Sequence, residues 1–432
     1  MGVSLFTGWL PVALSVLGVL GAGFLLIRRL RWWWLWYVPA TIAASAIGAW
    51  ILATVAGENL FAEALPFSVG IWIAVIIAAV LLAVGHLFAS PWWDKVVAVA
   101  AAIVVVAAAG NQINNHYQQY PTLGDVLGAG SDRDINGPPV KTTGPTMPPV
   151  PPGPLTQSWT PTGPNIPADG KGKVSQIDLP GTLSGFAARP GWVYYPPAYF
   201  ADNPEPLPVL MMIVGQPGDP GDWFLGDRLQ SVMDQYAQAH NGIAPIVVSP
   251  DPLGALIANP LCANSSLGQL DTYLSQDVPN AIKSQLLVET DPKYWAIGGF
   301  SYGGTCSLQM ATNHPDQFPT FIDISGELEP TLGSRQKTVD TAFGGDTAAF
   351  TAINPMDIMA AKKFSNTAGW FIVGETDADY MPQQQQVYQT AKAAGMDVQY
   401  WVSPGTGHDW GTAVAGLAHV LPWLGTRLGL TA

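Results

Sequence analysis

Residues 294–307 read Tyr294-Trp295-Ala296-Ile297-Gly298-Gly299-Phe300-Ser301-Tyr302-Gly303-Gly304-Thr305-Cys306-Ser307. The first four are aromatic, apolar or β-branched, the make-up of a buried strand. Gly298 and Gly299 are expected to end that strand. Residues 305–313 have helical character and run into His314-Pro315, where a helix should stop. Ser301 therefore lies in a strand–turn–helix, inside Gly299-Phe300-Ser301-Tyr302-Gly303, the Gly-x-Ser-x-Gly pattern of a nucleophile elbow. A serine on so sharp a turn leaves no room for neighbouring side chains, which is why glycines flank it. The first turn of the helix behind it favours a developing negative charge.

A serine hydroxyl is a feeble nucleophile until a base accepts its proton and a third group orients that base. On a strand–turn–helix elbow of this kind the chain order is serine, then an acid, then histidine. After Ser301 the histidines are His314, His408 and His419. His314 closes the elbow helix, where a cation suits the helix dipole, and His419 falls within a terminal helix; both read as structural. His408 follows the last strand in Ser403-Pro404-Gly405-Thr406-Gly407-His408-Asp409-Trp410, a turn before a helix, which is the place for the base. The acid should leave the preceding strand, and Gly374-Glu375-Thr376-Asp377-Ala378-Asp379 offers three carboxylates there. Asp377 is the choice, with Glu375 and Asp379 read as solvated; Glu327, one strand earlier, is the alternative. Two backbone donors are needed for the oxyanion: the amide of Tyr302, and one from Gly215-Gln216-Pro217-Gly218, where Gln216 is expected because Pro217 has no N–H.

Around these motifs strands alternate with helices. Candidate strands cover 174–179, 192–196, 209–214, 246–249, 294–298, 320–324, 370–373 and 399–402, and candidate helices 222–239, 271–287, 305–313, 382–394 and 411–428. The alternation predicts a mainly parallel sheet flanked by helices from about residue 171 on, and with the elbow it resembles an α/β-hydrolase domain over 171–432.

The elbow Gly299-Phe300-Ser301-Tyr302-Gly303-Gly304, the turn Gly374-Glu375-Thr376-Asp377 and Gly407-His408-Asp409-Trp410 together resemble the esterase family that includes feruloyl esterases, S-formylglutathione hydrolases and the antigen 85 mycolyltransferases. The resemblance implies a serine carboxylic-ester hydrolase or acyltransferase, with an ester or acyl-lipid substrate and no cofactor or metal. Two departures stand out. The family often has His-Gly at the first oxyanion turn, where this chain has Val214-Gly215-Gln216. The antigen 85 branch uses a glutamate placed differently.

The N-terminal part has another character. Hydrophobic residues make up 48 % of the chain and charged ones 11 %, well below the ~25 % of ordinary soluble domains. Apolar runs at 8–27, 36–56, 67–88 and 96–110 are each expected to span a bilayer as a helix, giving a four-helix transmembrane bundle over 1–110. Arg28, Arg29 and Arg31 and then Lys95 place the connections after the first and third spans in the cytoplasm. The loop with Glu58 and Glu63, both termini and the catalytic domain then lie outside. Trp32, Trp33, Trp34, Trp36, Trp92 and Trp93 fit an aromatic belt, and His86 falls at that interface. The layout is similar to actinobacterial esterases with a multi-span N-terminus. Residues 111–170 turn polar and then proline-rich, with Pro138-Pro139, Pro148-Pro149 and Pro151-Pro152, a semi-rigid linker.

A net charge of −13 argues against nucleic acid as a partner. Cys262 and Cys306, the only cysteines, either form one bridge outside the cytoplasm or remain two buried thiols; a bridge would pin the 259–269 loop beside the elbow. A catalytically inactive hydrolase-fold scaffold tethered to the membrane is the second reading.

Overall fold

The computed structural model describes residues 2–57, 65–88, 91–128 and 153–432. Contacts divide the chain into two units, Met1–Gly130 and Ser131–Ala432.

In the first unit, Trp9–Leu26, Trp33–Val55, Phe67–Leu87 and Trp92–Tyr117 are helices long and apolar enough to cross a membrane. The first and last pack on each other, as do the last and third. The polar run from Asn111 does not break the fourth helix, which continues to Tyr117; buried Asn111 donates from Nδ2 to Leu5 O at 3.2 Å. The N-terminus then pairs with the chain leaving that helix, through Leu5 N–H to Pro121 O and Leu123 N–H to Val3 O, each 2.9 Å. His86 lies in the last turn of the third helix. It is buried between helices, with Nδ1 3.0 Å from Asp94 Oδ2 and Nε2 3.1 Å from Leu25 O. A histidine with both ring nitrogens partnered can leave water. The Glu58–Glu63 loop and the proline pairs at 138, 148 and 151 lie outside the described residues.

The second unit is built on an eight-stranded sheet in the order β1-β2-β4-β3-β7-β8-β9-β10. The strands are β1 (Lys173–Ile177), β2 (Gly191–Tyr195), β3 (Val209–Ile213), β4 (Ile246–Ser249), β7 (Trp295–Phe300), β8 (Thr320–Ile324), β9 (Ala368–Gly374) and β10 (Asp397–Ser403). Between β4 and β7 lies a small hairpin, β5 (Asn264–Ser265) with β6 (Gly268–Gln269). β2 is antiparallel to β1 and β4, and the pairs from β4 through β10 are parallel. All five residues of β3 and all six of β7 are buried, as expected of strands covered on both faces. Helices Arg228–Ala239 and Trp410–Arg427 pack together as one set. Tyr302–Asn313, Pro355–Ala361 and Met381–Ala393 form the other.

Several elements depart from the sequence reading. The strand carrying the elbow does not stop at Gly298 but runs to Phe300, because its glycines serve close packing rather than a break: a Cβ on Gly298 would lie 3.1 Å from both Ile322 Cβ and Met212 Sδ. The helix expected over 222–239 is a 3₁₀ segment, Pro220–Asp227, followed by Arg228–Ala239, and Gly226 in the left-handed region makes the kink (φ 57°). The helix expected over 271–287 widens to a π-turn at Tyr273–Asp277. Pro279 has no N–H for Ser275 O, and Gln317 Nε2 takes that carbonyl at 2.6 Å instead. The domain also begins before 171. Leu155 and Trp159 are buried in its core, and Leu155 N–H donates to Gly429 O at 2.9 Å, just past the C-terminal helix.

Asp323, on β8, is buried beneath the elbow helix. Its Oδ1 accepts from Gly326 N–H at 2.9 Å and Gln384 Nε2 at 3.0 Å. Burial, which these two bonds offset only in part, pushes its carboxyl from 3.8 up to about 7. The folded chain thus holds a proton that the unfolded chain releases at lower pH. The stability this supplies is full below the ordinary pKa and is lost as pH rises through about 7. Asp323→Asn keeps the Oδ1 acceptor, so its melting temperature relative to the parent should rise between about pH 5 and about pH 8. A difference that stays constant over that range would mean the folded-state carboxyl is already ionised.

Candidate active site

The elbow is a steric consequence of its glycines. A Cβ on Gly299 would sit 2.3 Å from Gly303 C and O, and one on Gly303 would sit 2.2 Å from Ile213 O. Only residues without Cβ let the chain leaving β7 fold back this tightly. Ser301, at the apex, has φ 58° and ψ −122°, a backbone strain characteristic of a functional turn. Its N–H donates to Ile324 O at 2.8 Å, and helix Tyr302–Asn313 starts at the next residue.

The turns after β9 and β10 bring the other two side chains to Ser301. His408 Nε2 lies 2.9 Å from Ser301 Oγ, and His408 Nδ1 lies 3.0 Å from Asp377 Oδ2. Asp377 is buried, and its Oδ1 accepts from Tyr380 N–H at 3.2 Å. A carboxylate on Nδ1 fixes the tautomer with the proton on that nitrogen, leaving the Nε2 lone pair for the hydroxyl. The imidazole is held in plane by Tyr380, stacked at 3.9 Å, and by Phe300 at 5.0 Å.

Neighbouring residues lock these two turns together. Thr376 N–H donates to Thr406 O at 2.9 Å. Glu375, expected to be solvated, accepts from Gly405 N–H at 2.8 Å. Asp409 caps the terminal helix through Thr412 N–H and also accepts from Gly407 N–H at 2.9 Å. Glu327, the alternative acid, accepts at Oε2 from Thr305 Oγ1 at 3.5 Å. His314 pairs with Asp271 at 2.8 Å, and His419 stacks on Trp401 at 4.1 Å, both apart from the triad.

The turn after β3 runs beside the nucleophile, so that a Cβ on Gly215 would lie 3.3 Å from Ser301 Cβ. This puts the backbone of the Gly215–Gln216 turn and the first turn of the elbow helix next to the hydroxyl. Cys262 and Cys306 are joined as a disulfide, with Cα atoms 5.5 Å apart, and it ties residue 262 to the elbow helix. Among the described residues no group of three His, Cys, Asp or Glu side chains could hold a metal ion.

The geometry of a serine hydrolase is matched by similarity over the same residues. The family model described as "Putative esterase" covers residues 188–419, more than half of the chain. The chain belongs to this esterase family. An uncharacterised protein of Corynebacterium glutamicum is 38 % identical over an alignment of 336 residues that covers 74 % of this chain and 73 % of the relative. Because 74 % of the chain exceeds the share taken by residues 188–419, this likeness extends beyond the esterase domain. Solved structures give the fold. A ferulic acid esterase superposes with a TM-score of 0.51 at 19 % identity, covering 60 % of this chain and 99 % of that one. An S-formylglutathione hydrolase from Agrobacterium tumefaciens gives 0.50 at 16 % identity, over 60 % and 96 %. The esterase domain is therefore an α/β-hydrolase fold, with its elbow on the central strand β7.

Sequence reasoning missed the packing on the imidazole and one ion pair. Tyr380 and Phe300 hold the ring, yet neither carries a motif of its own. Arg189 donates to Asp251 across 62 residues of sequence, a pairing that only the folded sheet brings about.

Proposed function

We propose that this esterase is a membrane-anchored serine carboxylic-ester hydrolase or acyltransferase that works outside the cytoplasm through an acyl-enzyme. Ser301 attacks the ester carbonyl while His408 takes its proton and passes it to the departing alcohol. Asp377 orients the imidazole and stabilises its charged form. The amides of Gln216 and Tyr302 donate to the tetrahedral oxyanion. Water, or a sugar or lipid hydroxyl, then attacks the acyl-enzyme with His408 again as base. The observation that carries the reading is the continuous relay Ser301–His408–Asp377, with both links at hydrogen-bond length.

The anchor reading rests on composition and charge. The apolar helices have spanning length, and Arg28, Arg29, Arg31 and Lys95 gather in the connections assigned to the cytoplasm. An even number of spans returns the chain to the side it started from, and the pairing of residues 3–5 with 121–123 agrees with that. The bundle would run to the end of the fourth helix at Tyr117, the linker would take the stretch to about 153, and the esterase domain the rest. Held at a bilayer, the enzyme would meet acyl esters of envelope lipids and sugars.

The test is saturable hydrolysis of p-nitrophenyl butyrate by the full-length protein in detergent. Turnover well above the uncatalysed rate, with added alcohol speeding p-nitrophenol release, is the expected result. No turnover, and no reaction with a fluorophosphonate, would favour an inactive hydrolase-fold scaffold.

A further inference from the structure

Residues 251–262 leave the end of β4 and run beside the turn that follows β3. Three hydrogen bonds join the segments: Gly218 N–H to Leu256 O at 3.0 Å, Gln216 Nε2 to Ile257 O at 2.9 Å and Asn259 Nδ2 to Gln216 Oε1 at 3.5 Å. The run is tied at its start by Asp251, which is fully buried and accepts from Arg189 N–H at 2.7 Å, Nε at 2.9 Å and Nη2 at 2.7 Å. The same guanidinium donates to Gly218 O at 3.0 Å and to Asp219 at 3.1 Å, so one cation joins the run to the turn.

Its far end is tied covalently. Cys262 is bonded to Cys306, in the second turn of the helix that Ser301 begins. Cys262 N–H also donates to Tyr302 Oη at 3.1 Å, and Gln309 Nε2 donates to Cys262 O at 2.9 Å. Leu261 and Cys262 have φ of 65° and 48°, two successive side-chain-bearing residues in the left-handed region. Such a pair relaxes unless its surroundings hold it.

We infer that residues 251–262 are a strap that sets the oxyanion turn against Ser301, anchored by Arg189–Asp251 at one end and by the Cys262–Cys306 bond at the other. The inference rests on reading the Gln216 amide as an oxyanion donor. A backbone donor is placed by the turn it belongs to, so its position comes from what that turn is bonded to, the Gln216 side chain included. Its worth depends on lying ~2.7–3.1 Å from where the oxyanion forms, not from the ground-state carbonyl. Loosening the strap should therefore lower kcat and leave KM nearly unchanged. Arg189 and the disulfide touch no reacting atom; they are positioning groups.

The test compares full-length protein with two variants, Cys262→Ala/Cys306→Ala and Gln216→Leu; the second keeps the residue 216 amide but loses the bond to Ile257 O. Each should lower kcat on p-nitrophenyl butyrate by about tenfold or more with KM within about twofold. Each should also weaken binding of an alkyl trifluoromethyl ketone, whose adduct places an oxyanion in the same hole, by a matching factor. Combined, the losses should be less than additive, since both act through one strap. Should the cysteine pair fail to fold, judged by near-UV circular dichroism, Gln216→Leu and Arg189→Lys decide alone. Unchanged kcat, or a rise in KM with ketone binding intact, overturns the inference. If the parent protein neither turns over nor binds the ketone, the Ser301 reading itself has failed and the strap falls with it.

Discussion

Ser301→Ala should abolish ester hydrolysis, with kcat falling on the order of 10⁴-fold or more. By transition-state arithmetic that is a loss of at least about 5 kcal/mol of stabilisation. The expectation follows from the position of Oγ, the atom His408 Nε2 meets at 2.9 Å. Alanine removes this atom, and the other hydroxyl of the elbow, Tyr302 Oη, is buried and occupied with Cys262 N–H and Pro252 O. The fold should survive, because the apex backbone is held through Ser301 N–H to Ile324 O and through the glycine contacts, none of which uses the side chain. KM should change little, since the oxyanion turn and the pocket are untouched. Kinetics on p-nitrophenyl butyrate, beside a melting curve, decide the matter; retained activity in a folded variant would reject Ser301 as the nucleophile.

Asp377→Asn should be nearly as damaging, at roughly 10³- to 10⁴-fold in kcat near neutral pH, through the imidazole tautomer. Asp377 Oδ1 accepts from Tyr380 N–H, and asparagine can keep that bond with its own carbonyl oxygen. Its amide NH₂ then faces His408 Nδ1 where Oδ2 had been. A donor there makes Nδ1 the acceptor and moves the ring proton to Nε2, the nitrogen that must receive the serine proton. The variant should fold, bind ester with similar KM and regain rate as pH rises and the serine ionises without help. A drop of less than tenfold with an unaltered pH profile would point to another acid, with Glu327 the next to test.

What could be read from the chain was what local chemistry dictates. β3 and β9 carry no charged or hydroxyl side chain, and β8 is interrupted only by Thr320 and Asp323, so a doubly covered sheet was legible before any contact was known. The three candidate side chains could be chosen from connectivity, because each leaves the end of a strand: Ser301 after β7, Asp377 after β9, His408 after β10. Features made by distant partners were not legible. Gly298 looks like a strand breaker until Ile322 and Met212 are seen against it. Pro279 gives no hint that Gln317 will take the carbonyl it leaves open. Short helices at Arg335–Phe343, Thr347–Ile353 and Pro355–Ala361 fill a stretch with no strong periodicity, and Arg335 joins Glu329 to Asp357 there, each at 2.6 Å. His86 gave no hint in the sequence of its partners, a carboxylate and a carbonyl brought to it by other segments.

The central claim is that one serine is activated by the relay, and covalent trapping measures this most directly. Full-length protein in detergent is treated with a fluorophosphonate and digested, and the modified peptide is mapped by mass spectrometry. A single adduct on Ser301, formed quickly in the parent and much more slowly in His408→Gln, is the predicted result. No adduct, an adduct on another residue, or labelling of Ser301 at a rate that ignores position 408 would contradict the account.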